Sequence, residues 1–265
     1  MPEDETGQQT GRPAGRGRRT FMGVLLAGLL GAASAAGAAE IRVLAANAVR
    51  ESLTALVGAF EGASGHRVTI DWGGTDAVAD RLAGGEACDL VVIAASGIDR
   101  LAQGGRLAAG GRWDYARSGI GVAARSGRPR PDVASTEGLR AALLAADRIA
   151  VSTGPSGQYM AALFSRLGIA EQVRSRLLRP PSGVQVGELV ARGEADLAFQ
   201  QESELIRVPG IDYLGPLPPE VQHLTVYAIG LDARSTVPEA ARALAAALTA
   251  AAAAGPIRAS GMAPP

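Results

Sequence analysis

Short apolar runs alternate with amphipathic stretches in the first part of this chain, and their order restricts the fold more than any other feature. Residues 41–45 (IRVLA) read as a strand, and residues 52–63 place Leu53, Leu56, Val57 and Phe60 at the spacing of an amphipathic helix. Gly65 ends that helix and residues 66–72 alternate as a second strand. Gly73, Gly74, Thr75 and Asp76 then turn into a helix over 77–83, with Thr75 or Asp76 as its N-cap. Residues 89–95 are almost wholly apolar, the pattern of a parallel strand covered on both faces. A β-α-β-α-β opening of this kind predicts a doubly wound α/β sheet.

A second set of the same units is nested further on. A short helix over 98–104, a polar bend and a strand over 118–124 lead to the proline-rich link Arg128-Pro-Arg-Pro131. A helix over 136–146, capped by Ser135 or Thr136, and a strand over 148–152 run into Thr153-Gly-Pro-Ser-Gly157. A helix over 158–167, an extended piece at 177–179, a helix over 186–192 and a buried strand over 196–201 follow. Residues 225–231 (TVYAIGL) read as a strand returning to the first unit, and Pro238 opens an alanine-rich helix to about 253. The expected architecture is α/β: two Rossmann-like lobes joined by a two-crossing hinge. The first lobe takes 40–117 plus 232–265, the second takes 118–231, and the hinge strands lie near 118–124 and 225–231.

Residues 1–39 read as an export signal. Arg18 and Arg19, with Phe21 just after, precede an uncharged stretch and the small residues Ala36-Gly37-Ala38, which places cleavage near Ala38. The arginine pair resembles a twin-arginine signal, and no lipid-acceptor cysteine follows the apolar stretch. The chain beyond is expected in the periplasm as a monomer. Its charge is close to balance, with 26 basic and 26 acidic residues overall, so no positive field exists to attract nucleic acid. There is no lysine, which excludes Schiff-base chemistry and a lysine-bearing phosphate loop. The single cysteine, Cys88, reads as a buried structural thiol. With His66 and His223 the only histidines, no metal site is expected, and nothing suggests a haem, a nucleotide or any other cofactor.

In open α/β sheets, ligands sit beyond the carboxyl ends of the strands, where helix N-termini present free backbone N–H groups. That rule picks out loops 46–49, 73–76, 153–157 and 200–203, which carry Asn47, Ala48, Gly74, Thr75, Ser156, Gly157, Gln200 and Gln201. Asn47, Thr75 and Ser156 are each placed to donate to an oxygen. Neutral donors of this kind suit a small anion that must later be released. Taken singly, each loop also reads as nothing more than a helix cap.

The export signal, IRVLAANAV, WGGTDAVADRLAGGEACDLVVIAA, STGPSGQYMAALFSRLGI and LVARGEADLAFQQESEL together resemble the periplasmic molybdate-binding proteins of ABC importers, over roughly residues 41–262. The resemblance implies the type II periplasmic binding protein fold, an oxyanion ligand and a membrane ABC permease as partner. It places ligand contacts at Asn47-Ala48, at Thr75, at the Ser156 backbone N–H, near Gly183–Val184 and at Gln201. Ala48 stands where the family has a serine, and Gln201 where it has a tyrosine. The QQ-x-SE and Ser-Gly-Gln-Tyr segments resemble a branch of the superfamily that includes periplasmic aconitate isomerase. That branch implies allylic proton transfer on a tricarboxylate, for which His223, Glu202, Glu204 and Tyr159 are the titratable candidates. The sequence thus leaves open a receptor for an oxyanion or small carboxylate, an exported isomerase, and a fold-related sensor without a transport partner.

Overall fold

The computed structural model describes residues 37–180 and 184–265. The bulk of the expected export signal, and Gly183, lie outside the described residues. In chain order the elements are β1 (Glu40–Ala46), α1 (Arg50–Ser64), β2 (Arg67–Gly73), α2 (Thr75–Ala83), β3 (Leu90–Ala94), α3 (Ala95–Gln103) and β4 (Leu107–Ser118). There follow β5 (Ile120–Arg125), α4 (Thr136–Ala145), β6 (Ile149–Val151), α5 (Pro155–Arg166), α6 (Ala170–Arg174), β7 (Leu177–Leu178), α7 (Val186–Ala191) and β8 (Leu197–Gln201). The chain closes with α8 (Glu202–Leu205), β9 (Ile211–Pro216), β10 (Thr225–Asp232), α9 (Pro238–Thr249) and α10 (Ala254–Ala259).

The strands form two five-stranded mixed sheets, in the orders β2-β1-β3-β10-β4 and β7-β6-β8-β5-β9. In the first, β1 runs parallel to β2 and β3. In the second, β6 runs parallel to β7 and β8. The fully apolar β3 is buried along its whole length, as expected for a central strand. Gly65, in the left-handed region at φ 74°, closes α1 with its N–H on the Glu61 carbonyl. Each lobe has its own apolar core. One is built around Leu44, Leu53 and Ile93, the other around Leu163, Phe164 and Phe199. Tyr115 is buried in the first and donates to Ser52 Oγ at 2.8 Å, so its hydroxyl is satisfied.

Three features depart from the sequence reading. The polar bend before residue 118 is β4, an edge strand whose alternation is broken by glycines and by register shifts against β10. Strand β9 had no signal because its Gly215 and Pro216 read as turn residues, and as an edge strand it tolerates them. Strand β10 returns to the first unit as read, pairing antiparallel with β3 and β4 wholly within the first sheet, so residues 225–231 belong to the first lobe rather than to the second.

The chain crosses between sheets twice, at Gly119 and over residues 217–224. Gln222 clamps the two crossings together: its Oε1 accepts from the Ile120 N–H at 2.9 Å and its Nε2 donates to the Ile120 carbonyl at 3.1 Å. Across the opposite side of the cleft, Gln158 on α5 donates to Asp76 on α2 at 3.1 Å, so the lobes touch. Phe199 is fully buried in the second core. Phe199→Ala is expected to lower unfolding stability by about 3–5 kcal/mol in urea denaturation, and a loss below about 1 kcal/mol would contradict this packing.

Candidate functional site

Loops from both lobes converge on one cavity of about 80 Å³. From the first lobe come Asn47, Ala48, Gly74 and Thr75, and from the second come Ser156, Val184, Gln200 and Gln201. They meet because β1, β2, β6 and β8 all end on the cleft edge of their sheets. Of the nine residues singled out in the sequence for ligand contact, only Gly157 does not line this cavity.

The first turns of α2 and α5 face it, and their leading N–H groups have no partner within the helix. Gly74 is the N-cap of α2 and makes no side-chain cap, so Thr75 is the first helical residue rather than a cap. Thr75 is buried, and its Oγ1 accepts from the Ala94 N–H at 3.3 Å, which leaves the hydroxyl proton free to donate. Asn47 Oδ1 accepts from Arg50 Nη2 at 3.0 Å, so the Asn47 amide N–H₂ is left to donate elsewhere. Ser156 Oγ shares a 2.8 Å hydrogen bond with Ser152 Oγ, and Ser152 also accepts from the Gly157 N–H at 3.1 Å. Ser152 lines the cavity as well; read as the end of a strand, it had no signal of its own.

Two expected contacts change role. A Cβ at Gly157 would overlap the Ser152 carbonyl, so this glycine serves close backbone approach inside the loop. Gln201 reaches the cavity wall, but its terminal amide is buried against the crossings. Its oxygen accepts from Thr225 Oγ1 at 2.9 Å and its nitrogen donates to the Gly119 carbonyl at 3.2 Å. This amide is committed to the hinge.

The acid/base candidates divide. Tyr159 donates to the Val221 carbonyl at 2.8 Å, and His223 stacks on its ring at 4.7 Å. Glu202 accepts from the Tyr213 hydroxyl, and burial first, then this bond, keeps that phenol protonated well above its usual range. None of these three lines the cavity. Glu204 does, beside Tyr227 of β10, which sequence reasoning had placed only as a strand residue. Burial pushes the Glu204 carboxyl up to about 7, against the opposing pull of Gln200 and Arg50. Burial and Glu204 also hold the Tyr227 hydroxyl protonated. No arginine lines the cavity among the described residues. Away from it, Cys88 is buried near Asp232 and Asp89, and burial pushes its thiol up to about 12, as suits an inert structural residue.

Residues 41–263 match the model of a family described as bacterial extracellular solute-binding protein. The chain belongs to that family. This solute-binding protein is 36% identical over 210 residues to an aconitate isomerase from a Pseudomonas species, covering 77% of this chain and 80% of that one. It is 26% identical over 185 residues to a molybdate-binding protein of Azotobacter vinelandii, covering 68% and 71%. Among solved structures, the periplasmic molybdate-binding protein of Azotobacter vinelandii superposes with a TM-score of 0.72 at 22% identity, covering 85% of this chain and 99% of that one. The solute-binding protein therefore has the expected type II periplasmic binding fold.

Two glycines of the α5 loop test the local geometry against each other. A Cβ at Gly154 meets open space, while one at Gly157 collides with backbone. Gly154→Ala should leave stability within about 0.5 kcal/mol of the parent, and Gly157→Ala should cost at least 1–3 kcal/mol in chemical denaturation. Equal losses would refute the loop as drawn.

Proposed function

We propose that this protein is exported to the periplasm and, as a monomer, binds a small anion between its lobes, handing it to a membrane ABC permease. The observation that carries this is the convergence of four strand-end loops, two from each lobe, on a single cavity with neutral donors. The free helix-start N–H groups, the Thr75 hydroxyl and the Asn47 amide favour an oxygen-rich anion, and their dipoles support negative charge. A similar molybdate-binding protein supports an oxyanion as the ligand class. Ala48 has no hydroxyl and the Gln201 amide is already engaged, and both facts favour a small carboxylate over molybdate itself. Export is supported by Arg18, Arg19 and the small residues near Ala38. Strand β1 begins at Glu40, so a cut near Ala38 leaves it whole.

A second reading is favoured by one observation: a carboxyl that titrates near neutrality lies in the cavity wall. The relative at 36% identity is an aconitate isomerase. On such a substrate, an ionised Glu204 would take a proton from the methylene carbon, the double bond would shift by one position, and a proton would return to the far carbon. His223, Glu202 and Tyr159 do not line the cavity and so do not share that role.

Molybdate, tungstate, citrate and trans-aconitate can be titrated while following the fluorescence of Trp72, whose ring lies 4.3 Å beneath the Arg50 guanidinium. Saturable binding of a carboxylate is expected, and Thr75→Val should weaken it by about tenfold or more, the effect of losing one hydrogen bond to a charged group. Conversion of trans-aconitate, followed by NMR, would establish the isomerase over the receptor. Unchanged affinity in the Thr75 variant would refute this cavity as the site.

A further inference from the structure

We propose that Glu204 is the proton-carrying group of this cavity: it must be neutral for an anion to be held, so ligand capture takes up a proton from solution. The inference deepens the anion-binding reading and rests on it.

Glu204 lies on α8, which leads directly out of β8, and its side chain forms part of the same wall as Thr75, Ser156 and Gln200. An ionised carboxylate there would share a cavity of about 80 Å³ with the ligand's negative charge, and like charges at that range repel in a partly dry site. The neutral acid instead offers an O–H donor, the chemistry that the rest of the lining supplies. Gln200 works the other way: its Oε1 accepts from the Val186 N–H at 3.1 Å, which turns its N–H₂ towards the acid and favours the ionised form, so burial has to outweigh it.

The charged surroundings do not supply a full counter-ion. From the α1 side Arg50 faces the group and favours its ionised form, but no Arg50–Glu204 ion pair forms; its guanidinium bonds the neutral Asn47 amide oxygen at 3.0 Å and lies on the face of Trp72. From β10 comes Tyr227, held neutral by burial. On α8 itself Glu202 bonds Tyr213, and on α7 Glu188 pairs with Arg192 at 3.5 Å. β8 carries no titratable side chain, the turn Asn47–Val49 has none before Arg50, and Arg125 sits at the far end of β5 beside Gly193.

With burial as the largest cause, the empty site titrates near 7. A bound anion raises that value further. The sign follows: below about 7 the acid is already neutral and affinity is flat, whereas above it binding must protonate Glu204 and affinity falls as pH rises.

The test is calorimetric titration of the wild-type protein and Glu204→Gln with trans-aconitate, citrate and molybdate at pH 6.5, 7.5 and 8.5, in two buffers of different ionisation enthalpy. Glutamine keeps the shape of the neutral acid and cannot ionise. Comparing the two proteins on the same probe cancels the probe's own protonation. Relative to Glu204→Gln, the wild-type protein should lose affinity by about tenfold between pH 7.5 and 8.5 and take up close to one extra proton at pH 8.5. Binding by the wild type with no proton uptake beyond the probe's own, or with the same pH profile as Glu204→Gln, overturns the inference and leaves the anion site standing. No binding of any probe at any pH overturns both. Should Glu204→Gln fail to fold, the wild-type proton count, corrected for the probe's own ionisation, decides alone.

Discussion

Three parallel strands in each lobe, β1 to β3 and β6 to β8, set most of what this molecule can do. Parallel strands place their carboxyl ends on one edge, so the following helices all begin there. Each helix start leaves backbone N–H groups without partners, at a cost unless water or a ligand accepts from them. One lobe alone would expose those groups on an open edge. Two lobes facing each other enclose them, and the same unpaired donors that burden the fold become a site for an oxygen-rich anion.

That enclosure depends on how the two crossings are held. Gln222 pins the Ile120 backbone through both of its amide atoms, and the buried Gln201 amide bridges Thr225 to the Gly119 carbonyl. These are directional bonds: Gln222 ties one crossing to β5 and Gln201 ties β8 to β10 of the other sheet, so they fix the angle between lobes more tightly than apolar contact could. Gln201 also reaches the cavity wall, which makes the hinge and the site neighbours at one residue. The exposed contact of Gln158 with Asp76 also joins the lobes, a bond that water can readily replace.

The sequence shows the parts whose periodicity is set by burial on two faces. β1, β3, β8 and their helices were readable because a central strand must be apolar on both sides and its helix apolar on one. β4 and β9 were not readable, because edge strands are held by a partner that local composition does not name. The site divides in the same way. Loop positions 47, 74, 75, 156 and 200 follow from topology alone, so the rule about strand ends found them. The roles of Gly157 and Gln201 depend on contacts with Ser152, Gly119 and Thr225, two of them distant in sequence, and a motif comparison could not supply those. Glu204 was visible as a charge at a helix start, where exposure is the ordinary outcome; its place in the cavity lining beside Tyr227 depends on how the two sheets come together.

A receptor and an isomerase built on this frame differ by little. Both need an anion held by neutral donors, and both need it let go. If every donor were a fixed cation, tight binding would be secure and release slow; if every donor were a neutral dipole, affinity would be indifferent to conditions. A single carboxyl near its titration point adds a term that changes sign with protonation: donor when neutral, repulsive when ionised. The same group that tunes capture and release is one proton away from being a base beside a bound carboxylate. Whether the ligand offers a carbon acid within its reach then decides which chemistry the cavity performs, and no further residue has to be added to the fold.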